Sequence, residues 1–322
     1  MAGLSGNTAW LGVSLQAAKA TPAATVQYKV PFAGGNIEPV REIDRLEETD
    51  ASRDAGSSYV QTSGVEGDPE VYVRDTTIPL FLFAALGAKA VGGTTPNFSH
   101  TLTPSATLPY LTIWRNIGNL LYERFNACKV NSLSISAEAG EPLSATVEVE
   151  GIGTVRLAAD PAGAVALSSE TVYNHNNVTV TLGGVASKLL SSFELTIENN
   201  IERQQTDSVE PYDVSVGQRE VSLGFDMIFE DLNEYNKFHY GGAAGTTISS
   251  SVFTTSADFT FNLGANNEVK FTLPSIAYEE FPVEPDPGGD PVVASVRAMG
   301  QRSASPMVTA VVKNQVAAYT AI

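Results

Sequence analysis

Residues 130–151 read VNSLSISAEAGEPLSATVEVEG, two alternating runs hinged at Gly140-Glu141-Pro142. Leu133, Ile135 and Ala137 fall on one side of the first run, and Leu143, Ala145, Val147 and Val149 on one side of the second, as the period of two of a half-buried strand requires. The other face is polar. On the second run it carries Ser144, Thr146, Glu148 and Glu150, so two carboxylates follow each other at strand spacing with no base between them. The stretch predicts an antiparallel hairpin with one dry face and one acidic face, and it sets the reading of the rest of the chain as β.

Similar strand signals recur at Thr25–Val30, Glu70–Val73, Leu111–Trp114, Val178–Leu182, Ser192–Glu198, Glu220–Phe229, Asp258–Asn262 and Val269–Leu273, separated by Gly, Pro, Asn and Asp clusters. Two short helices interrupt them. Ile78–Leu86 follows Thr76-Thr77 as a cap, has Pro79 in its first turn and stops at Gly87; Leu232–Tyr240 follows Asp231 and stops at Gly241-Gly242. The helices expose an internal repeat. Glu70-Val-Tyr-Val precedes the first and Glu220-Val-Ser-Leu the second, 150 residues later; Glu141-Pro matches Asp290-Pro, and Gly151 matches Gly300, each 149 residues later. A period of this length suits a duplicated domain, with the joint in the small-residue stretch Ala158–Ser169. The expectation is mainly β: domains at 1–163 and 164–322, each an antiparallel β-sandwich or partly open barrel with one short helix. Val221, Leu223, Phe225 and Met227 are expected to face inward in the second half as the alternating residues of the hairpin do in the first.

Of the 322 residues 43% are apolar, enough for sizeable cores, and no run approaches the roughly 18 apolar residues of a membrane span. The start MAGLSGNTAW lacks the basic and apolar regions of a secretory signal, so a soluble chain that stays where it is made is expected. The single Cys128 excludes an internal disulfide and reads as a small buried apolar residue. Against 19 Lys and Arg stand 36 Asp and Glu, a formal net charge of −17. Binding nucleic acid through its phosphates needs the opposite sign, so specific DNA affinity is excluded.

Catalytic and cofactor patterns are missing. His100, His175 and His239 are far apart with no Cys or His at ligand spacing, and His100 and His239 read as polar residues beside element ends. Gly151-Ile-Gly-Thr-Val-Arg156 does not complete a dinucleotide fingerprint, no phosphate loop or Gly-x-Ser-x-Gly elbow occurs, and the acidic loop 284–290 lacks the ordered spacing of a calcium loop. Glu148 and Glu150, two apart on one strand, read as its wet face and not as a glycosidase pair. No enzyme, metal or cofactor is expected.

The run Ile78–Ala88, then Phe98–Pro104 (FSHTLTP), Leu108–Arg115, Tyr122–Arg124, Cys128–Pro142 and, in the second half, Ser192–Asn200 resembles the tail tube proteins of long-tailed, non-contractile bacteriophages. The Gly-Glu-Pro hairpin and the His-Thr-Leu-Thr-Pro segment carry it most specifically. The resemblance implies a structural protein without catalytic residues, whose subunits form rings that stack into a hollow tube for genomic DNA. It places the chain in the virion tail, assembled in the host cytoplasm. Its partners are then further copies of itself, a tape measure protein, a tail terminator and distal tail and tip proteins, with DNA passing transiently and no membrane insertion. If such a ring presents about six domains to its lumen, a chain with two needs three copies, six being the alternative. An acidic wall would repel phosphates; Glu148, Glu150, Glu194, Glu198, Glu220 and Asp226 are the candidates for it. The charged, Gly/Ser-rich segment Asp44–Asp68, longer than its counterpart Glu202–Ser215, is expected as a loop that reaches the next ring together with an N-terminal arm through Thr21, using Asp44, Glu47, Glu48, Arg53, Asp54 and Tyr59. Two other classes share the β pattern. One is a different self-assembling β protein, such as an injection-tube or capsid decoration component. The other is a carbohydrate-binding tail domain, for which Trp10 and Trp114 are the only tryptophans available.

Overall fold

A computed structural model describes residues 6–48, 54–187, 190–285, 287–288 and 291–321. The first half runs β1 (Trp10–Leu15), β2 (Tyr28–Val30), β3 (Ile37–Arg45), β4 (Ser58–Gly67), β5 (Glu70–Tyr72), α1 (Ile78–Leu86), β6 (Gly87–Thr94), β7 (Asn97–Pro104), β8 (Leu111–Ile117), β9 (Leu121–Glu138), β10 (Ser144–Gly151) and β11 (Gly153–Leu157). The second runs β12 (Val178–Leu182), β13 (Val185–Ser187), β14 (Leu190–Glu198), β15 (Ile201–Gln204), β16 (Asp213–Val216), β17 (Glu220–Ile228), α2 (Asn233–Tyr240), β18 (Thr254–Gly264), β19 (Asn267–Glu280), β20 (Val283–Glu284), β21 (Val293–Gly300) and β22 (Thr309–Asn314). The protein is mainly β, and the pairings between these strands are antiparallel.

The pairings of one half recur in the other. β1 lies between β2 and β8 as β12 lies between β13 and β18. β8 and β11 flank the start of β9 as β18 and β22 flank the start of β19. β10 joins β9 to β4 and β5 as β21 joins β19 to β17. β3 pairs with β4 as β14 pairs with β17. A break in register between Glu148 and Val149 on β10 has its counterpart between Tyr278 and Glu280 on β19.

Two ladders tie the halves together. The second part of β9 takes β14 on the edge that β10 leaves open, from Ser132 opposite Glu198 to Glu138 opposite Ser192. The hairpin of β6 and β7 reaches across to β22, from Leu102 opposite Ala310 to Phe98 opposite Asn314. A wide sheet results, in the order β3, β4 with β5, β10, β9, β14, β17, β21, and finally the end of β19 with β20.

The dry face of that sheet builds the core. Leu133, Ile135, Ala137, Leu143, Ala145, Val147 and Val149 are all buried, as are Val221, Leu223 and Phe225, while Met227 is half-buried at the margin. Phe193 of β14 packs on Phe259 of β18 with ring centroids 4.6 Å apart, so the second half is filled by aromatic contacts. Gly151 is required by closeness: a Cβ there would stand 2.6 Å from the sulfur of buried Cys128. Trp10 and Trp114 are buried in a smaller cluster, which removes them as sugar-stacking platforms.

Five local expectations are corrected. Segment 44–68 is not all loop: residues 58–67 form β4, which pairs with β3 from Ser58 opposite Arg45 to Gly67 opposite Ile37, and the connection runs over 46–57. The stretch through Thr21 is not a free arm, because β1 is buried along its whole length between two strands. Thr77 occupies the N-cap of α1 without a side-chain bond, the helix being held by burial of eight of its nine residues. His100 lies within β7, not beside it, buried with Nε2 3.0 Å from Asn314 Oδ1 and 2.8 Å from the Val316 carbonyl. In the second helix Leu232 is the cap residue, and Asp231 Oδ1 accepts from the Asn233 amide at 2.8 Å. Asp290, half of one repeat anchor, lies outside the described residues.

Candidate functional site

The wet face of the wide sheet is continuous across both halves because β9 and β14 share a ladder. Strand alternation brings its side chains into rows. Glu148, Ser132, Glu198 and Glu220 form one row; Thr146, Ser134, Thr196 and Ser222 the next; Ser144, Ser136, Glu194, Gly224 and Arg297 a third; Glu138, Ser192, Asp226 and Ser295 a fourth. Across these rows the one cation is Arg297, exposed, with Nε 3.7 Å from Glu280.

All six carboxylates singled out from the sequence stand on this face. Glu148, Glu194, Glu198 and Glu220 are exposed, and Asp226 is half-buried, accepting from Ser192 Oγ at 2.8 Å. Glu150 differs. It is half-buried at the margin, with Arg203 Nε 3.6 Å away; burial, with Glu148 and Glu202 adding repulsion, pushes its carboxyl above the usual range. Hydroxyls fill the space between the acids: Ser134 Oγ donates to Glu194 Oε1 at 3.2 Å, and Thr196 Oγ1 donates to Ser134 Oγ at 3.0 Å. The face holds two open hollows of about 640 and 480 Å³, one beside β3 and β4 and one over β9, β14 and β17.

Such a surface is poor in cations. It offers a phosphate no paired cations, and among the described residues no three His, Cys, Asp or Glu side chains come together as a metal site. It also opposes its own folding, since Glu198 and Glu220 are directly opposite and like charges so placed destabilise a sheet.

The hairpin of β3 and β4 is the second notable feature. Asp44, one residue before the end of β3, lies opposite Tyr59, whose OH donates to Asp44 Oδ2 at 3.3 Å; Glu47, Glu48 and Asp54 lie in the connection, and Arg53 lies outside the described residues. Its base is tied to the second half by Arg203 bonding Glu66 and by the Ser63 amide donating to the Val209 carbonyl at 2.9 Å. Beyond that point Ile43 is 63% exposed and Leu46 45%. These two exposed apolar residues, set in the charged run EIDRLEE, are hidden in a reading by charge alone.

A family model described as phage tail tube protein matches residues 7–300. No curated protein matches the chain.

Replacing Glu198 by Gln removes one of two opposed charges while keeping size and hydrogen bonding. The variant should be more stable than the parent by about 0.2–1 kcal/mol in chemical denaturation at low salt, and the gain should shrink toward zero at about 1 M salt.

Proposed function

The chain belongs to the phage tail tube protein family, and we propose that three copies of it close into a ring whose inner wall is the acidic face, rings stacking into the tube through which genomic DNA leaves. Its role in the phage tail is structural and not catalytic. The observation that carries the finer reading is the single acidic face running unbroken across both halves, with like charges kept opposite each other at a cost to stability.

The repeated pairings support two tube domains per chain, 1–163 and 164–322, so three chains present six. Each half contributes four strand positions to the wide sheet, and at about 4.8 Å between strands the resulting 24 positions make a wall about 37 Å across between backbones, before any tilt widens it. Side chains reaching inward leave room for a double helix. The carboxylates act there by repulsion, and the hydroxyls keep the wall wet, so a moving polyanion meets no site at which to stop. The hairpin tip of β3 and β4, with Ile43, Leu46 and Tyr59 around its charges, contacts the next ring; a projecting two-stranded ribbon is marginally stable until it is covered. Its further partners on this reading are a tape measure protein, a tail terminator and distal tail and tip proteins.

Purified protein should give rings or tubes by negative-stain microscopy, with a ring mass near 102 kDa for three chains of 34.0 kDa; a mass near six chains overturns the threefold ring. Phage carrying Glu148→Lys, Glu194→Lys and Glu198→Lys together should build tails of unchanged length that eject DNA slowly, whereas ejection at the parental rate rules out the repelling wall. Replacing 46–57 by an Asn-Gly turn, which spares the strands, should leave single rings that no longer extend into tubes. Full-length tubes from that variant would show that the tip is not the joint.

A further inference from the structure

The wide sheet ends in two open edges, and the chain already contains a joint of the kind that would close them. At one end β3 has β4 on one side and no strand on the other among the described residues. At the other end residues 280–284 have only β21 beside them. The repeat identifies what each edge corresponds to. Ser132 on β9 and Glu280 on β19 hold equivalent places opposite β10 and β21, as do Ile135 and Val283, and Ser136 and Glu284. Following the ladders the other way, Glu198, Leu195 and Glu194 of β14 occupy the places that Val40, Ile37 and Asn36 occupy on and just before β3. In the chain, Glu198 faces Ser132, Leu195 faces Ile135 and Glu194 faces Ser136.

We infer that residues 280–284 of one copy take up residues 36–40 of the next as an antiparallel ladder, Glu280 opposite Val40, Val283 opposite Ile37 and Glu284 opposite Asn36, repeating between chains the joint of β9 with β14. The inference rests on the ring reading and names its contact surface: a second copy of this chain, joined head to tail, so that the contact closes a ring instead of pairing two copies face to face.

Two features of the open edges fit that occupant, and one costs the joint a hydrogen bond. The amide of Asn199 donates to the Asn131 carbonyl at 2.8 Å, so on β14 the amides of residues 195, 197 and 199 point toward β9. The matching positions on β3 are Ile37, Pro39 and Arg41, so Pro39 costs the β3–β4 ladder nothing but leaves the joint one donor short, with the amides of Ile37 and Arg41 to carry it. The same register sets Arg41 opposite Glu279, two exposed residues of opposite charge, where the internal joint has Asn199 and Asn131. Finally, the helices differ. In the first half Asn199 Nδ2 donates to the Ala85 carbonyl at 3.1 Å and Arg219 Nη2 to the Leu86 carbonyl at 3.2 Å, so the joint closes the end of α1, which is almost wholly buried. Its counterpart α2 has no buried residue, and its Tyr235 and Phe238 rings stand beside Phe281 on the open edge, centroids 5.9 and 6.4 Å away. Arg41 holds the place of Asn199 and brings a cation toward the carbonyl end of that helix in the preceding copy.

The register gives a direct test. Residues 36 and 284 match a pair on the wet face where side chains stand close, so Asn36→Cys and Glu284→Cys in one chain should, after mild oxidation of assembled protein, link copies into two- and three-chain species on a non-reducing gel. No higher species should form, each single variant should stay unlinked, and buried Cys128 does not compete. As an independent arm, Arg41→Glu and Glu279→Arg should each reduce ring formation at least tenfold, and the two together should restore it. Rings seen by microscopy that neither link nor respond to the charge changes overturn this joint while leaving the tube reading intact. A parent protein that forms no rings under any condition overturns both.

Discussion

The architecture depends on one strand having neighbours on both edges. Over Leu121–Glu138, β9 pairs first with β8 and β11 and then with β10 and β14. Its early part belongs to the first half alone. Its later part is shared, and because backbone hydrogen bonding satisfies amides on both sides, the ladder fixes the second half in register to the first, which the apolar core common to both halves could not do alone. Everything on the wet face follows from that ladder: without it, the carboxylates of β10 and those of β14 and β17 would belong to two surfaces and not one.

Function and stability pull in different directions on this sheet. The dry side is packed with aliphatic and aromatic residues, and its burial outweighs the mutual repulsion on the wet side. Glu150 marks the boundary. Where the face turns under β3 and β4 it is no longer open to water, and there the charge is met by Arg203, which also bonds Glu66. Inside the rows no such neutralisation occurs except at Arg297. On the proposed reading, the electrostatic strain sits on the one surface where repulsion would be the working property.

The alternation of Leu133, Ile135, Val147 and Val149 was enough to read the hairpin, and the apolar run from Ile78 to the left-handed Gly87 was enough to read α1 to the residue. The placement of all six carboxylates on a wet face was equally legible, because a strand has only two faces. What escaped was whatever lacks an apolar period. β4 reads SYVQTSGVEG, polar on both sides because much of it stands away from the core, so its residues looked like loop. β6 is Gly-rich and exposed, and only the alternation of Phe98, His100 and Leu102 on β7 hinted at the hairpin that ties the halves. The pairing of β9 with β14 was not legible at all, since Ser and Glu on a wet face specify no partner strand. The buried Asn199 that closes α1 carries no signal beyond being one of two adjacent asparagines.

The two hairpins at equivalent places in the halves are close in length, but they are held differently: β3 and β4 pair without leaving the sheet out to Arg45 and Ser58, whereas β15 and β16 form a ladder of their own whose connection at 205–212 is laid on β4, the Ser63 amide donating to the Val209 carbonyl. If three copies close into the proposed ring, free tips would alternate with folded-back ones around the rim. The wall would then have six similar sectors and the rim only three. A ring added on top would find seats 120° apart, and one that landed a sector out would leave Ile43 and Leu46 in water. A hairpin folded back in one half and free in the other would thus serve as a key that carries the angular setting of each ring to the next.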